Sequence, residues 1–317
     1  LAIGAYFNDG NGASSGHVRI YDWNGTAWTQ LGADIDGEAT GDKSGYSVSI
    51  NANGDRVAIG AYGNDGNGAS SGHVRIYQWN GTTWTQIGQD IDGEASDLSG
   101  GSVSMNAAGD RLAIGAEYNN GNGSNAGHVR IYDWNGTAWI QLGQDIDGEA
   151  AYDYSGYSVS INANGDRVAI GAYGNDGNGA SSGHVRIYQW NGTTWTQIGQ
   201  DIDGEASDLS GGSVSMNAAG DRLAIGAEYN NGNGSNAGHV RIYDWNGTAW
   251  IQLGQDIDGE AAYDYSGYSV SINANGDRVA VGAYRNDGNG IDAGHVRIYD
   301  WNGTAWTQLG ADIDGEA

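Results

Sequence analysis

Ser44-Gly45-Tyr46-Ser47-Val48-Ser49-Ile50, Asn51-Ala52-Asn53-Gly54-Asp55 and Arg56-Val57-Ala58-Ile59-Gly60-Ala61 follow one another without a break, and their reading decides the fold. The first run alternates small polar with β-branched and aromatic residues, which predicts a strand. The second is rich in residues that tolerate the left-handed backbone of a tight reversal. The third is almost continuously small and aliphatic, the pattern of a strand buried on both faces. After the loop Gly63-Asn64-Asp65-Gly66-Asn67-Gly68, a third strand is predicted over His73-Val74-Arg75-Ile76-Tyr77-Gln78-Trp79. Asn80-Gly81 then returns the chain into a fourth, Thr82 to Ile87. A two-residue turn there places Tyr77 opposite Trp84 and Trp79 diagonal to it, a pairing worth on the order of 1 kcal/mol beyond area burial.

The same four strands recur along the chain. Residues 44–154 and 155–265 are identical over 111 positions, and each block is itself two similar halves. The result is six units, 1–43, 44–98, 99–154, 155–209, 210–265 and 266–317. The six histidines, His17, His73, His128, His184, His239 and His295, each stand second in the same phrase, Gly-His-Val-Arg-Ile-Tyr. Tight hairpins make neighbouring strands antiparallel and exclude a parallel β-helix. A four-stranded unit cannot bury both of its faces alone but can between two neighbours. The fold class expected is therefore all-β, a β-propeller of about six four-stranded antiparallel blades in a single repeat array. Leu1 already lies in strand two, so the first blade lacks its strand one and the expected total is 23 strands. Its open edge calls for a partner strand from another chain or from a further segment, and the chain reads as a piece of something longer.

Composition narrows the partners. Net charge −26, from 13 basic and 39 acidic residues, repels nucleic acid and anionic lipid. No apolar run approaches the roughly 20 residues of a membrane helix, so membrane insertion is not expected. With no cysteine, neither a disulfide nor a thiolate metal site is available. The 12 Trp, 19 Tyr and regular aliphatic runs outweigh the disorder that so acidic a composition suggests.

Ser44-Gly45-Tyr46-Ser47-Val48, Val57-Ala58-Ile59-Gly60-Ala61 and Gly72-His73-Val74-Arg75-Ile76-Tyr77 together resemble the FG-GAP repeat of integrin α-subunit propellers and of many bacterial and algal surface proteins. The resemblance covers all six units apart from the start of the first. It departs in two places: the Phe of the name is Ser here, and the Pro that usually follows Gly-Ala is Tyr62 or, in the alternate units, Glu117. It implies a propeller, often of seven blades, and a cell-surface or extracellular location. In calcium-binding members the cation loop lies between strands one and two; the matching Asn51–Arg56 and Asn106–Asp110 hairpins are shorter, with one carboxylate, and read as turns.

The polar motif with the strongest chemical suggestion is Asp-Ile-Asp-Gly-Glu-Ala, after every fourth strand. Carboxylates at alternate positions beside a glycine resemble a hard-cation loop, and calcium takes about six to eight oxygens. The candidate ligands are Asp34, Asp36 and Glu38; Asp90, Asp92, Glu94 and Asp97; Asp145, Asp147 and Glu149; Asp201, Asp203 and Glu205; Asp256, Asp258 and Glu260; and Asp312 and Asp314. The alternative is a solvated acidic connection. The histidines are expected to pack rather than bind metal, and the arginine in the middle of every third strand to stack on an aromatic ring and pair with a loop carboxylate. Asn24-Gly25-Thr26 and its counterparts are glycosylation acceptors in form, while Asn-Gly is already required by the turn.

A catalytic constellation is built from residues that occur once, and almost nothing here does, so the expectation is that the chain is not an enzyme. Two functional readings remain: an extracellular structural or adhesive propeller, a segment of a longer surface protein or filament that self-associates or meets other surface proteins; or a multivalent lectin holding carbohydrate on aromatic platforms.

Overall fold

In the second blade the strands run Ser47–Ile50, Arg56–Ala61, His73–Trp79 and Trp84–Gln86, each antiparallel to the one before, and a two-residue strand, Ile91–Asp92, follows. The computed structural model, which describes residues 1–316, repeats this sheet in the later blades. The fold is an all-β propeller of six antiparallel blades, with no helix among the described residues. The first blade has no strand one: its sheet begins at Ala2–Ala5, paired only with His17–Trp23. No helix of the described residues is long and apolar enough to cross a membrane.

Two features of the sheet differ from the sequence expectation. The strand total among the described residues is 29 rather than 23, because Ile-Asp of the acidic motif forms a fifth strand in each blade. It pairs back on strand three, His73 opposite Asp92 and Val74 opposite Ile91. Strands four and five are thus one outer row interrupted by a bulge: the four residues between Gln86 and Ile91 stand against two on strand three, Arg75 and Ile76. The second difference is in the hairpin. Asn80, Gly81, Thr82 and Thr83 all belong to the loop, so Trp79 faces Trp84 and Tyr77 faces Gln86. The Asn80 side-chain oxygen accepts from the backbone N–H groups of Thr82 and Thr83 and from the Thr82 hydroxyl, which holds the longer turn.

The chain divides into two compact units, Leu1–Ala151 and Tyr152–Ala317. In the first, Val18, Ile20 and Ile35 of blade one pack on Val57 and Ile59 of blade two. Ala58, Val74, Ile76 and Ile91 of blade two then pack on Met105, Leu112, Ile114 and Trp139 of blade three. Alternate residues of strand two, Val57 and Ile59 against Ala58, thus serve two different interfaces, which explains a strand apolar throughout. The second unit has the same layers, Ala169, Val185, Ile187 and Ile202 on Met216, Leu223, Ile225 and Trp250, and Ala224, Val240, Ile242 and Ile257 on Ile272, Val279 and Val281. Each such aliphatic side chain contributes about 1.5–3 kcal/mol when fully buried.

Candidate functional site

The acidic motif is anchored from inside. Ile35, Ile91, Ile146, Ile202 and Ile257 are buried, so the period of two turns the aspartates on either side outward. Strand three brings His17 and Arg19 to the same edge. Arg19 Nε lies 3.0 Å from both carboxylate oxygens of Asp34, its Nη2 2.9 Å from one of them, and Gln30 Nε2 donates to Asp34 at 2.7 Å. These donors, Arg19 first, hold the Asp34 carboxyl below its ordinary value. In the third blade Arg130 pairs with Asp145 and, across the blade boundary, with Glu94 at 2.6 Å; Arg241 repeats this with Asp256 and Glu205. Arg75 reaches back instead to Glu38 at 3.3 Å and lies 5.6 Å from the centre of the Tyr77 ring. The arginines therefore take the structural part that their sequence position suggests.

The histidines sit just inside this edge and are buried. Burial, with a nearby arginine, pushes His128 and His184 down to about 4, which leaves both neutral at pH 7. Their Nδ1 atoms lie beside the first aspartate of the motif, 3.6 Å for His128 and Asp145.

Ligand atoms of His17, Asp34 and Asp36 lie within 4.8 Å of one another, as do those of Glu38, His73 and Asp90, of His128, Asp145 and Asp147, and of His239, Asp256 and Asp258. These are not the groupings expected from sequence. Glu38 joins the following blade's His73 and Asp90, and Glu94 turns to Arg130. Asp97 lies apart from these groups: it is buried, and it accepts from Asn119 Nδ2 and from the Glu94 N–H, which caps the loop. Of the other predicted positions, Asp92, Asp203, Asp312 and Asp314 lie along the same outer row; Asp201 accepts from Gln197 Nε2 at 2.6 Å, Glu260 pairs with Arg297 at 3.5 Å, and the Glu149 carbonyl accepts from Asn122 Nδ2. A histidine with two carboxylates could hold a divalent cation, with Arg19 or Arg130 already competing for the first aspartate.

Two further acids outside the acidic motif are perturbed by burial. Glu117 and Glu228 follow Gly-Ala at the end of strand two, where four other blades carry Tyr6, Tyr62, Tyr173 and Tyr284. Burial raises both to about 7. Glu228 neighbours Tyr229 and Tyr284, and Tyr284 packs on Tyr265 and Tyr268 with ring centroids 5.3 and 4.6 Å apart. The available sequence signal was the departure from tyrosine at one repeat position.

The profile of the FG-GAP repeat matches residues 146–188 and 257–299, each running from the Ile-Asp strand of one blade to strand three of the next. These two stretches are FG-GAP repeats. No curated protein matches the chain. Among solved structures, the chain is similar to the periplasmic gluconolactonase of Pseudomonas aeruginosa, with 12% identity over 98% of this chain and 81% of that one and a TM-score of 0.62. A protein of Bacteroides uniformis assigned as a 6-phosphogluconolactonase gives 10% identity, 99% and 96% coverage and a TM-score of 0.53. Kuenenia stuttgartiensis hydrazine synthase gives 11%, 83% and 65%, and 0.52. At such identity the likeness carries the fold alone. It corrects one expectation, that the chain is not an enzyme: the similar propellers include enzymes, so repetition does not exclude catalysis. The physical reason is that the copies are not equivalent, as Glu117 and Glu228 among the tyrosines illustrate.

Proposed function

We propose that this chain is an extracellular structural or adhesive propeller whose acidic edge meets self copies or other surface proteins many times over, with calcium held at the Asp-Ile-Asp rows. The observation that supports the reading is the recurrence of one rigid polar arrangement, a buried isoleucine between two outward aspartates with an arginine or glutamine on the first. Individually weak contacts on such a row gain avidity through effective concentration. The second aspartates, Asp36, Asp92, Asp147, Asp203 and Asp258, are exposed, as a contact or cation row requires.

The test is retention of the intact chain on immobilised cell-surface protein and polysaccharide in calcium and in chelator. Slow release that a chelator accelerates supports the reading; turnover of a small molecule at one saturable site, with no retention, overturns it. Carbohydrate binding is the second reading. The exposed rings that favour it are Tyr46, Tyr152, Tyr263, Tyr268 and Tyr284, with Trp23 and Trp28 of the first blade, whereas the pairs Trp79 and Trp84, Trp134 and Trp139, Trp245 and Trp250, and Trp301 and Trp306 pack between blades. A glycan panel with Tyr268→Ala as control separates the two.

A further inference from the structure

The acidic edge is built in two ways. In blades one, three and five the arginine of strand three lies on the first aspartate of its own blade: Arg19 on Asp34, Arg130 on Asp145 and Arg241 on Asp256, each at 2.9 Å. In blades two and six it turns to the blade before. Arg75 Nη1 lies 3.3 Å from Glu38 Oε1 and its Nη2 donates to the Asp36 carbonyl at 2.8 Å. Arg297 repeats this with Glu260 at 3.5 Å and the Asp258 carbonyl at 2.7 Å. The difference follows the connecting loop, which is one residue longer before blades two and six: Glu38 and Glu260 stand six positions ahead of Ser44 and Ser266, whereas Glu94 and Glu205 stand five ahead of Ser99 and Ser210. The longer loop carries its glutamate to the histidine of the next blade, and among the described residues no arginine pairs with Asp90 or Asp312.

In blade six two carboxylate oxygens then face one imidazole nitrogen. His295 Nδ1 lies 3.7 Å from Asp312 Oδ2 and 4.0 Å from Glu260 Oε2. Both gaps are too wide for a hydrogen bond. Neither ring nitrogen of His295 has a hydrogen-bond partner, although its side chain is only 1% exposed, and a buried polar atom left so is costly. The other oxygen of each carboxylate is held from behind. Gln308 Nε2 donates to Asp312 Oδ1 at 2.6 Å, and the Arg297 guanidinium lies on Glu260 Oε1. Blade two has the same arrangement: ligand atoms of Glu38, His73 and Asp90 lie within 4.8 Å of one another, with Gln86 on Asp90 Oδ1 and Arg75 on Glu38 Oε1.

We infer that Glu260, His295 and Asp312, and likewise Glu38, His73 and Asp90, hold a divalent transition ion of the zinc class, which ties each of these blades to the one before it. One imidazole nitrogen and two carboxylate oxygens form a donor set that zinc takes with water in its fourth place, whereas calcium takes oxygens alone. Around a tetrahedral ion with bonds of about 2.0–2.1 Å the ligand atoms stand roughly 3.4 Å apart, so the gaps at His295 close by about half an ångström on binding. Gln308 and Arg297 orient the carboxylates as outer partners of metal ligands do. Two carboxylates against one guanidinium leave a net negative charge for the ion to meet. In blades one, three and five the arginine already occupies the aspartate, so the same residue types do not make the site there. The assignment stands apart from the adhesive reading and from calcium on the exposed second aspartates, since Asp92 and Asp314 take no part in it.

The test is equilibrium dialysis of the chelator-treated intact chain against zinc in a large excess of calcium and magnesium. Saturable zinc uptake that the excess does not displace is expected. Glu38→Gln together with Glu260→Gln removes one ligand charge from each set at half-exposed positions, and is expected to lower the zinc retained per chain by about two ions. Glu94→Gln with Glu205→Gln, at the shorter loops, is expected to leave uptake unchanged. On the unaltered protein, zinc is expected to shift the ring-nitrogen resonances of His73 and His295 and to leave those of His17 and His128 in place. No saturable uptake, displacement of zinc by calcium, an equal loss in both pairs of variants, or unmoved His73 and His295 resonances overturns the inference.

Discussion

The indole nitrogen of Trp139 donates to the carbonyl of Ile87 in the preceding blade at 3.2 Å, so a side chain that could serve as an exposed platform is instead an inter-blade joint. Trp139→Ala removes a nearly buried ring and is expected to destabilise the fold by about 3–5 kcal/mol. Trp28→Ala, at the exposed copy, is expected to cost the isolated chain under about 1 kcal/mol. Urea unfolding at a concentration where the protein is monomeric measures both; equal costs would show that the two rings do not differ in role.

Glu117 gives a pH dependence of known sign. Its folded-state value is about 7 against an ordinary 4.5. Between those values the unfolded chain has released the proton and the folded chain has not, so stability falls as pH rises from 4.5 to 7 and is level above. Glu117→Gln is expected to abolish that fall, gaining on the order of 1–3 kcal/mol at pH 8 and nothing at pH 4. Denaturation at the two pH values decides it.

His128 has the opposite sign. Held down to about 4 from 6.5, it is neutral in the folded state while the unfolded imidazole takes a proton. Its contribution is intact above pH 6.5 and is lost as pH falls towards 4. A nuclear magnetic resonance titration is expected to show the His128 ring signals unmoved until near pH 4. Movement centred on pH 6.5 would mean that the imidazole is solvated.

Cation binding on the outer row is expected to raise the melting temperature with calcium and lower it with chelator. At ten times the dissociation constant each site adds about 1.4 kcal/mol by mass action. Asp36→Asn is expected to weaken the response at its own site, because Asp36 lies in the His17 and Asp34 cluster. An unchanged melt over a wide calcium range would leave Arg19 as the partner that Asp34 keeps.

Strands two and three were legible to the residue, Arg56–Ala61 and His73–Trp79, because burial on two faces and the alternation of His, Arg and Tyr each leave a long pattern. The Ile91–Asp92 strand was not, since two residues carry no period. The hairpin register was missed for a different reason. Asn80 spends its side-chain oxygen on Thr82 and Thr83, and a side-chain cap changes loop length without changing the Asn-Gly signal. Among the acidic residues, the aspartates were visible as a motif, but pairing Glu94 with Arg130 or Glu38 with Arg75 needs the neighbouring blade in place.

The bulge between Gln86 and Ile91 has a bearing on solubility. Each blade ends in an outer row whose free backbone groups could recruit a strand from any other chain. An unbroken row of identical sequence in every repeat would be a template for sheet extension and amyloid-like stacking. Offsetting the row by two residues after the third position leaves three residues of ladder and then two, too short to nucleate a foreign strand. A chain built from near-copies of itself is thereby kept from zipping edge to edge.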